Sequence, residues 1–462
     1  MHSLGLMIGC FALAFVAEAG PTIVDFTQPT GARIRALNGG NLGPAIVNAQ
    51  IFGTGVDDFK ALRVPLVRTH DAALGNAGMR LGDLQFIFPI FKNDPNDPDN
   101  YYFRETDDYL KRIKDCGADV LFRLGTSIEH SGGKYAIRPP EDPEKWADVC
   151  VNVIRHYNEG WANGPKFGIR YWEIWNEPDG GSNWTGTALD YCRLYEVTAR
   201  KIKARFPDVK VGGPALAYFS PNATNDCPWA KFAHEFLAYC RDRNVPMDFF
   251  SWHLYSRDVQ STVDSPKFVR RVLDKYGFDK TELVLDEWHY RWTSFRRCGQ
   301  DLTNGLRSAN AAVYATAVLT GWQDEPIDQA CYYTIGPLWN CWGAVDEQNS
   351  RLKGFYTFRM FAAMLDYPER VVVTPGDPNV WVLAGRSAEG RRALLVSNYK
   401  SGLKTVDLIL RGAEGKAFAC TAFTEDQNEA HSDVSVAADG RLVLPGAKPG
   451  FSSAYLLTEK AD

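Results

Sequence analysis

Short apolar runs alternate with amphipathic helical text over residues 36–365, and this alternation restricts the chain to very few architectures. Candidate strands fall at Arg33–Leu37, Val64–Arg68, Asp119–Leu124, Tyr171–Trp175, Val209–Gly212, Phe249–Tyr255, Leu283–Glu287 and Ala330–Ile335. Between them, Thr106–Cys116, Pro143–Tyr157, Ala188–Phe206, Ala230–Asp242, Pro266–Tyr276 and Gly305–Thr320 read as helices. Their apolar residues recur at i, i+3 and i+4, as Trp146, Val149, Cys150, Val153 and Ile154 do. Strands that alternate with helices pair in parallel, and eight of them close into a (β/α)8 TIM barrel. A doubly wound sheet would want a Gly-x-Gly-x-x-Gly after its first strand, which the text lacks.

After Ala363 the text changes to short β-rich runs such as Thr405–Leu410 and Ala454–Leu457, separated by Pro-Gly, Asp-Pro and Asp-Gly turns. Residues 366–462 are therefore expected to form a β-sandwich domain. Thr22–Phe26, within residues 20–35, is placed to add a strand to it. Residues 1–19 read as a signal peptide: Leu4 to Val16 is apolar, and Ala17-Glu18-Ala19 is a small-x-small site. Export to the periplasm or the extracellular space is the expectation. That run is too short to cross a bilayer and no later one is long enough, so no membrane span is expected. A net charge of −5 on 462 residues gives no electrostatic reason for a nucleic-acid partner. Oligomeric state is not legible. Ten cysteines lie at wide spacings; Cys331 with Cys341 and Cys227 with Cys240 are the nearest pairs, while Cys116, Cys150 and Cys192 fall in helical text as buried thiols.

Chemistry concentrates at the ends of the strands, the face on which a parallel barrel keeps its site. Arg-Tyr-Trp-Glu-Ile-Trp-Asn-Glu-Pro-Asp, from Arg170 to Asp179, is an aromatic strand stopped by Pro178, which has no N–H for a ladder. It delivers Glu177 at the tip, with Asn176 beside it and rings around it that should exclude water and raise its pKa, as a general acid requires. A second carboxylate is needed if a sugar is hydrolysed. Glu287, in Glu282-Leu-Val-Leu-Asp-Glu-Trp-His-Tyr290, ends another apolar strand. By strand count the two glutamates close the fourth and seventh strands of one barrel, so their tips meet on one face. Arg68 and His70 close the second strand, and Arg68 is placed to keep Glu287 ionised. His253 and Tyr255 end the sixth, with the Tyr255 hydroxyl able to orient Glu287. Asn176 is placed for a sugar 2-hydroxyl. Trp288, Trp292, Trp339 and Trp342 are candidate stacking platforms in a chain with 13 Trp. Asn183-Trp-Thr and Asn222-Ala-Thr match glycosylation triplets.

Trp-Glu-Ile-Trp-Asn-Glu-Pro-Asp, Asp248-Phe-Phe-Ser-Trp-His-Leu-Tyr255 and Leu-Asp-Glu-Trp together resemble glycoside hydrolase family 39, which holds β-xylosidases and α-L-iduronidases within the clan of retaining barrel glycosidases. The resemblance implies Glu177 as acid/base, Glu287 as nucleophile, and Arg68, Asn176, His253 and Tyr255 around the sugar nearest the scissile bond. It implies a carbohydrate substrate, most simply a β-xyloside, and neither a metal nor an organic cofactor. A retaining reaction further implies a carboxyl separation of about 5–5.5 Å. An iduronidase-like relative would need a cation for its uronate, and Arg291, Arg296 and Arg297 could supply one. Two other classes stay open. A silent carbohydrate-binding barrel would have no use for the two glutamates. A metal-dependent hydrolase would want a His-x-His that Arg33–Leu37 lacks.

Overall fold

The computed structural model describes residues 20–461 apart from 45–54, 73–79, 129–133, 135, 222–226, 292–299, 302 and 339–340. The expected export segment, Trp292, Trp339, Arg296, Arg297 and Asn222 lie outside the described residues.

After β1 (Thr22–Arg33) come eight strands: β2 (Gly39–Asn41), β3 (Leu66–Arg68), β4 (Asp119–Leu124), β5 (Tyr171–Ile174), β6 (Lys210–Leu216), β7 (Phe249–Ser256), β8 (Glu282–Tyr290) and β9 (Gln329–Tyr332). Each pairs in parallel with the next and β9 pairs in parallel with β2, closing a barrel. Its interior is built in layers, because residues two apart on a strand face the same side. Leu66, Leu121, Tyr171, Phe249, Val284 and Cys331 form one closed apolar layer. Two residues further along each of six strands stand Arg68, Arg123, Glu173, Ser251, Asp286 and Tyr333. That second layer is polar, and it floors the site.

The first barrel strand is not Arg33–Leu37 but Gly39–Asn41. Packing, not propensity, makes it a strand. A Cβ on Gly39 would stand 2.5 Å from the Ala330 carbonyl oxygen, and one on Gly40 2.1 Å from Ile335 Cγ1. Only glycine lets β2 approach β9 so closely.

The outer helices bury one face each. Pro143–Glu159 begins with an Asp142 cap on the Lys145 N–H and buries Trp146, Val149, Cys150, Val153 and Ile154. Ala309–Gly321 is the exception, buried all round, because it lies between the barrel and a second sheet.

That sheet contains β10 (Glu369–Thr374), β11 (Val380–Arg386), β12 (Arg392–Asn398), β13 (Thr405–Arg411), β14 (Ala417–Phe423), β15 (Ala430–Ser435), β16 (Arg441–Pro445) and β17 (Ser453–Glu459). Their order is β15-β14-β17-β12-β11-β10-β1-β13-β16. β1 is antiparallel to β10 and parallel to β13, so the chain lays one strand in this sheet before it enters the barrel. The sheet curls over on itself: the Tyr455 hydroxyl of β17 donates to the Pro445 carbonyl of β16, distant in the order, at 2.7 Å. Alternation on β12 sends Leu394 and Val396 into the sheet's own core and Ala393 and Leu395 into the barrel's. Ser397 Oγ bonds Thr316 Oγ1 of the enclosed helix at 2.7 Å. The eight described cysteines are all free, so neither near pair is bridged. No helix among the described residues is long and apolar enough to cross a membrane.

Candidate active site

The ends of β3, β5, β7 and β8 converge on one pocket. β5 ends in Trp175 and Glu177 with left-handed φ of 74° and 47°, a conformation costly for non-glycine residues and held only by surrounding structure. Here the Trp175 N–H donates to the Leu124 carbonyl at 2.7 Å and the Glu177 N–H to the Ala215 carbonyl at 2.9 Å. β8 shows how two consecutive acids enter the barrel. Its register with β7 slips by one residue, from Trp252 opposite Leu285 to His253 opposite Glu287. The extra residue is Asp286, and a bulge of this kind turns both Asp286 and Glu287 inward. Both are buried, so the pair is not a solvated turn.

Arg68, fully buried, organises the floor. Its Nε donates to Glu173 Oε2 at 2.6 Å, its Nη1 to Glu287 Oε1 at 2.8 Å and its Nη2 to Asn176 Oδ1 at 2.7 Å. Asp286 Oδ2 lies 3.0 Å from Nη2. Above the floor, Tyr255 donates to Glu287 Oε2 at 2.7 Å, and His70 Nε2 stands 3.5 Å from Glu287 Oε1. His253 bridges the two sides, with Nδ1 2.9 Å from Glu177 Oε1 and Nε2 3.2 Å from Asp286 Oδ2. One oxygen of Glu177, one of Glu287 and a ring nitrogen of His253 all lie within 4.8 Å of one another. A cation could span such a trio, but Arg68 and a protonated His253 already bring positive charge to Glu287, and like charges compete for the same oxygens.

The electrostatics follow from burial set against this pairing. Burial pushes the Glu287 carboxyl up; His253 and Arg68 pull it down and Glu177 and Asp286 push it up again, leaving it at about 7. Burial opposes a charged His253 ring, yet Glu287, Asp286 and the bonds to Asp286 and Glu177 hold its pKa well above the ordinary value. Asp286 is held below the usual carboxylate range: burial works against this, and Arg68 and His253 outweigh it.

Arg68, His70, Asn176, Glu177, His253, Tyr255 and Glu287 thus stand in one constellation. Trp288 does not join it. Beyond the bulge it faces the helix layer, fully buried against Trp322 and Tyr332 at 4.7 and 4.9 Å between ring centroids, so no sugar can stack on it. Trp342, which borders Tyr255, Tyr333 and His289, is on the pocket's aromatic side. Trp175 packs on Trp146 and Trp184, and the immediate partners of Glu177 are polar: His253 and the Asn183 amide. Asn183 is 4% exposed, which makes its triplet part of the site rather than a glycan acceptor. Arg291 is exposed.

Sequence reading passed over Asn41, Asp71, Glu173, Asn183, Asp286 and Tyr333. For Glu173 a signal existed: a charged residue in mid-strand between Trp172 and Ile174 must face the barrel interior and find a cation there. Tyr333, whose hydroxyl donates to Asp71 Oδ2 at 2.7 Å, had none.

The model for "Glycosyl hydrolases family 39" matches residues 77–276, which carry Glu173, Asn176, Glu177, His253 and Tyr255. Over this segment the chain matches glycosyl hydrolase family 39. It is 38% identical over 129 residues to a β-xylosidase of Geobacillus stearothermophilus, covering 27% of this chain and 23% of that protein. It is 32% identical over 135 residues to a β-xylosidase of Caldicellulosiruptor saccharolyticus, covering 29% and 25% respectively. The match thus spans about a quarter of these curated relatives. A solved glucosidase from Croceicoccus marinus superposes with a TM-score of 0.76 at 23% identity, covering 96% of this chain and all of that one. A monomeric β-xylosidase from Caulobacter crescentus gives 0.68 at 16% identity, covering 96% and 100%. At these identities the structural likenesses establish the fold, barrel and second sheet together.

Proposed function

We propose that this family 39 protein is a retaining glycoside hydrolase, exported, and β-xylosidase-like on plant or microbial glycans. The observation that carries the reading is the pair of strand-end glutamates with oxygens within 4.8 Å of each other. Double displacement uses carboxyls about 5–5.5 Å apart, whereas inversion needs about 6.5–9.5 Å to seat a water between them. Glu287 is the nucleophile: Arg68 and Tyr255 each hold one of its oxygens, which fixes its aim and favours its ionised form. Glu177 is the acid/base. Its side chain is 19% exposed against 4% for Glu287, so it can exchange its proton with water and activate the water of the second step.

In the first step Glu287 attacks the anomeric carbon while Glu177 passes its proton to the leaving oxygen. In the second, Glu177 takes a proton from water, which displaces the glycosyl group from Glu287. Asn176 suits the sugar 2-hydroxyl: its Oδ1 is fixed by Arg68, and its buried Nδ2 donates to none of the described residues. The xyloside preference draws on the names of the two curated relatives.

The test is hydrolysis of a panel of aryl glycosides, with the product anomer followed by NMR. The β-xyloside is expected to be cleaved fastest, with net retention. Glu287→Ala should lose several orders of magnitude and regain turnover with azide, forming a glycosyl azide. Glu177→Ala should lose about 10²–10⁴-fold on substrates with poor leaving groups. An inverted product, or a Glu287→Ala enzyme as fast as wild type, would sink the mechanism.

A further inference from the structure

The two buried acids beneath the catalytic pair take no part in the reaction as derived, and their placement poses a charge problem. Glu173 on β5 and Asp286 on β8 are both fully buried. Each gives one oxygen to Arg68: Glu173 Oε2 to Nε at 2.6 Å and Asp286 Oδ2 to Nη2 at 3.0 Å. One guanidinium therefore draws the two carboxyls together, and they come within hydrogen-bonding contact of each other. Their remaining oxygens, Glu173 Oε1 and Asp286 Oδ1, are buried and accept no hydrogen bond of normal geometry, although the Ser251 hydroxyl faces Glu173. Two ionised carboxylates so arranged would repel each other in a low dielectric, each with an unsatisfied oxygen. One proton placed between them removes both faults at once.

We propose that Glu173 carries a proton at neutral pH and donates it to Asp286, forming an acid–carboxylate bridge that positions Arg68 and His253 under the catalytic glutamates. The proton belongs on Glu173 and not on Asp286, because Asp286 pairs with two cations, Arg68 and His253, and Glu173 with one, Arg68. The groups that face Glu173 are Arg68 of β3, Ser251 of β7, Asp286 of β8 and the Cys331 thiol of β9, with the Tyr191 ring behind it. Arg123 of β4, the register partner of Glu173, shares this layer but gives its bonds to Asp83 and Ser127, so Arg68 is the one cation that bonds Glu173. Burial pushes Glu173 up, Arg68 opposes this and Asp286 adds to it, giving about 8.

The charge count then closes. With Glu173 neutral and Glu177 protonated, Arg68 and His253 balance Asp286 and Glu287. When Glu287 is esterified by the sugar and Glu177 has given up its proton, the same two cations balance Asp286 and Glu177. Among these six groups the charge stays balanced through the cycle, which spares them an uncompensated charge in either state.

Infrared spectroscopy of the full chain at pH 7 tests the bridge, whether or not the protein cleaves glycosides. A protonated-carboxyl C=O band is expected in wild type and lost in Glu173→Gln; the subtraction separates it from other acids with a raised pKa, such as Asp179. Asp286→Asn replaces the accepting carboxylate with a weaker amide oxygen and should move the band to higher frequency. No difference band in Glu173→Gln, or a band that Asp286→Asn leaves unmoved, overturns the proposal. A second readout rests on the hydrolase reading: the pH limbs of kcat/KM. Gln copies a protonated Glu, so Glu173→Gln should leave both limbs at their pH, whatever the height of the profile. Were Glu173 ionised, losing its charge beside Arg68 would move the acidic limb down by about one unit or more. A shift of that size would refute the bridge even in a variant that folds normally by circular dichroism. A protein that cleaves no glycoside would defeat the proposed activity and leave the infrared result to decide this one.

Discussion

At the scale of single residues, Arg68 carries the most consequence. Its planar fork reaches Glu173, Glu287, Asn176 and Asp286 at once, a division of donors that the point charge of a lysine cannot copy. Removing the guanidinium would strand two or more buried acids. Breaking a buried pair from one side costs about 3–5 kcal/mol, so Arg68→Met should lower the unfolding free energy read from a urea titration by an amount in that range, besides abolishing turnover. A loss under about 1 kcal/mol by the same titration would mean that the acids beneath it carry no charge for Arg68 to neutralise. The sequence displayed Arg68 and both glutamates because each stands at a strand end, next to a change in texture. It did not display Asp286 as a partner. A bulge is a fault in register between two strands, and register is a property of the pair.

Among the elements, β2 and β8 depart furthest from what local text suggests. Gly39-Gly40-Asn41 has no strand propensity, and β2 exists because β3 and β9 supply its partners. A methyl group at Gly40 would meet the branched Ile335 side chain at 2.1 Å, and the Gly40 φ lies outside the left-handed region. The penalty is therefore one of space. Gly40→Ala should cost about 1–3 kcal/mol by overpacking and lower the thermal midpoint. Gly354→Ala is the control. It sits near the start of the helix Lys353–Met364 with nothing within 4 Å of an added Cβ, and should be neutral or stabilising by up to about 1 kcal/mol. Equal effects in differential scanning calorimetry would mean that closure at β2 does not depend on close approach. The layered interior, in contrast, was implicit in the period-two text of the strands. What hid the polar layer was that each of its members looks like an isolated exception until the six strands are aligned.

For the whole molecule, the acids with raised pKa values set the response to pH. Glu173 at about 8, Glu287 at about 7 and Asp179 at about 7 all lie above the ordinary carboxylate range, with burial the largest cause in each. His253 is raised as well, against burial, by Glu287 and Asp286. Between pH about 5 and 8 the folded protein thus holds protons that the unfolded chain has released, so stability falls as pH rises through that window. The His253 contribution has the same sign: it is complete below the ordinary histidine value and lost as pH climbs through the raised one. Asp286, held low, acts only below its ordinary range, where acidification costs stability. Thermal melts should accordingly show a midpoint that declines from pH 5 to pH 9. A midpoint that rises across that interval would contradict the burial of these acids.

The sequence by itself determined the number and alternation of barrel strands, the second β-rich domain, and the strand tips at which Arg68, Glu177 and Glu287 stand. These follow from periodicity and from where apolar runs stop, which are local properties. Only the tertiary structure decided that Gly39–Asn41 is a strand, that Trp288 points away from the pocket, that Asn183 braces Glu177, and that Glu173 and Asp286 share one guanidinium. Each of these depends on strand register or on the distance between segments far apart in the chain. No window of sequence contains both partners of such a contact, so the closure of the barrel had to bring them together.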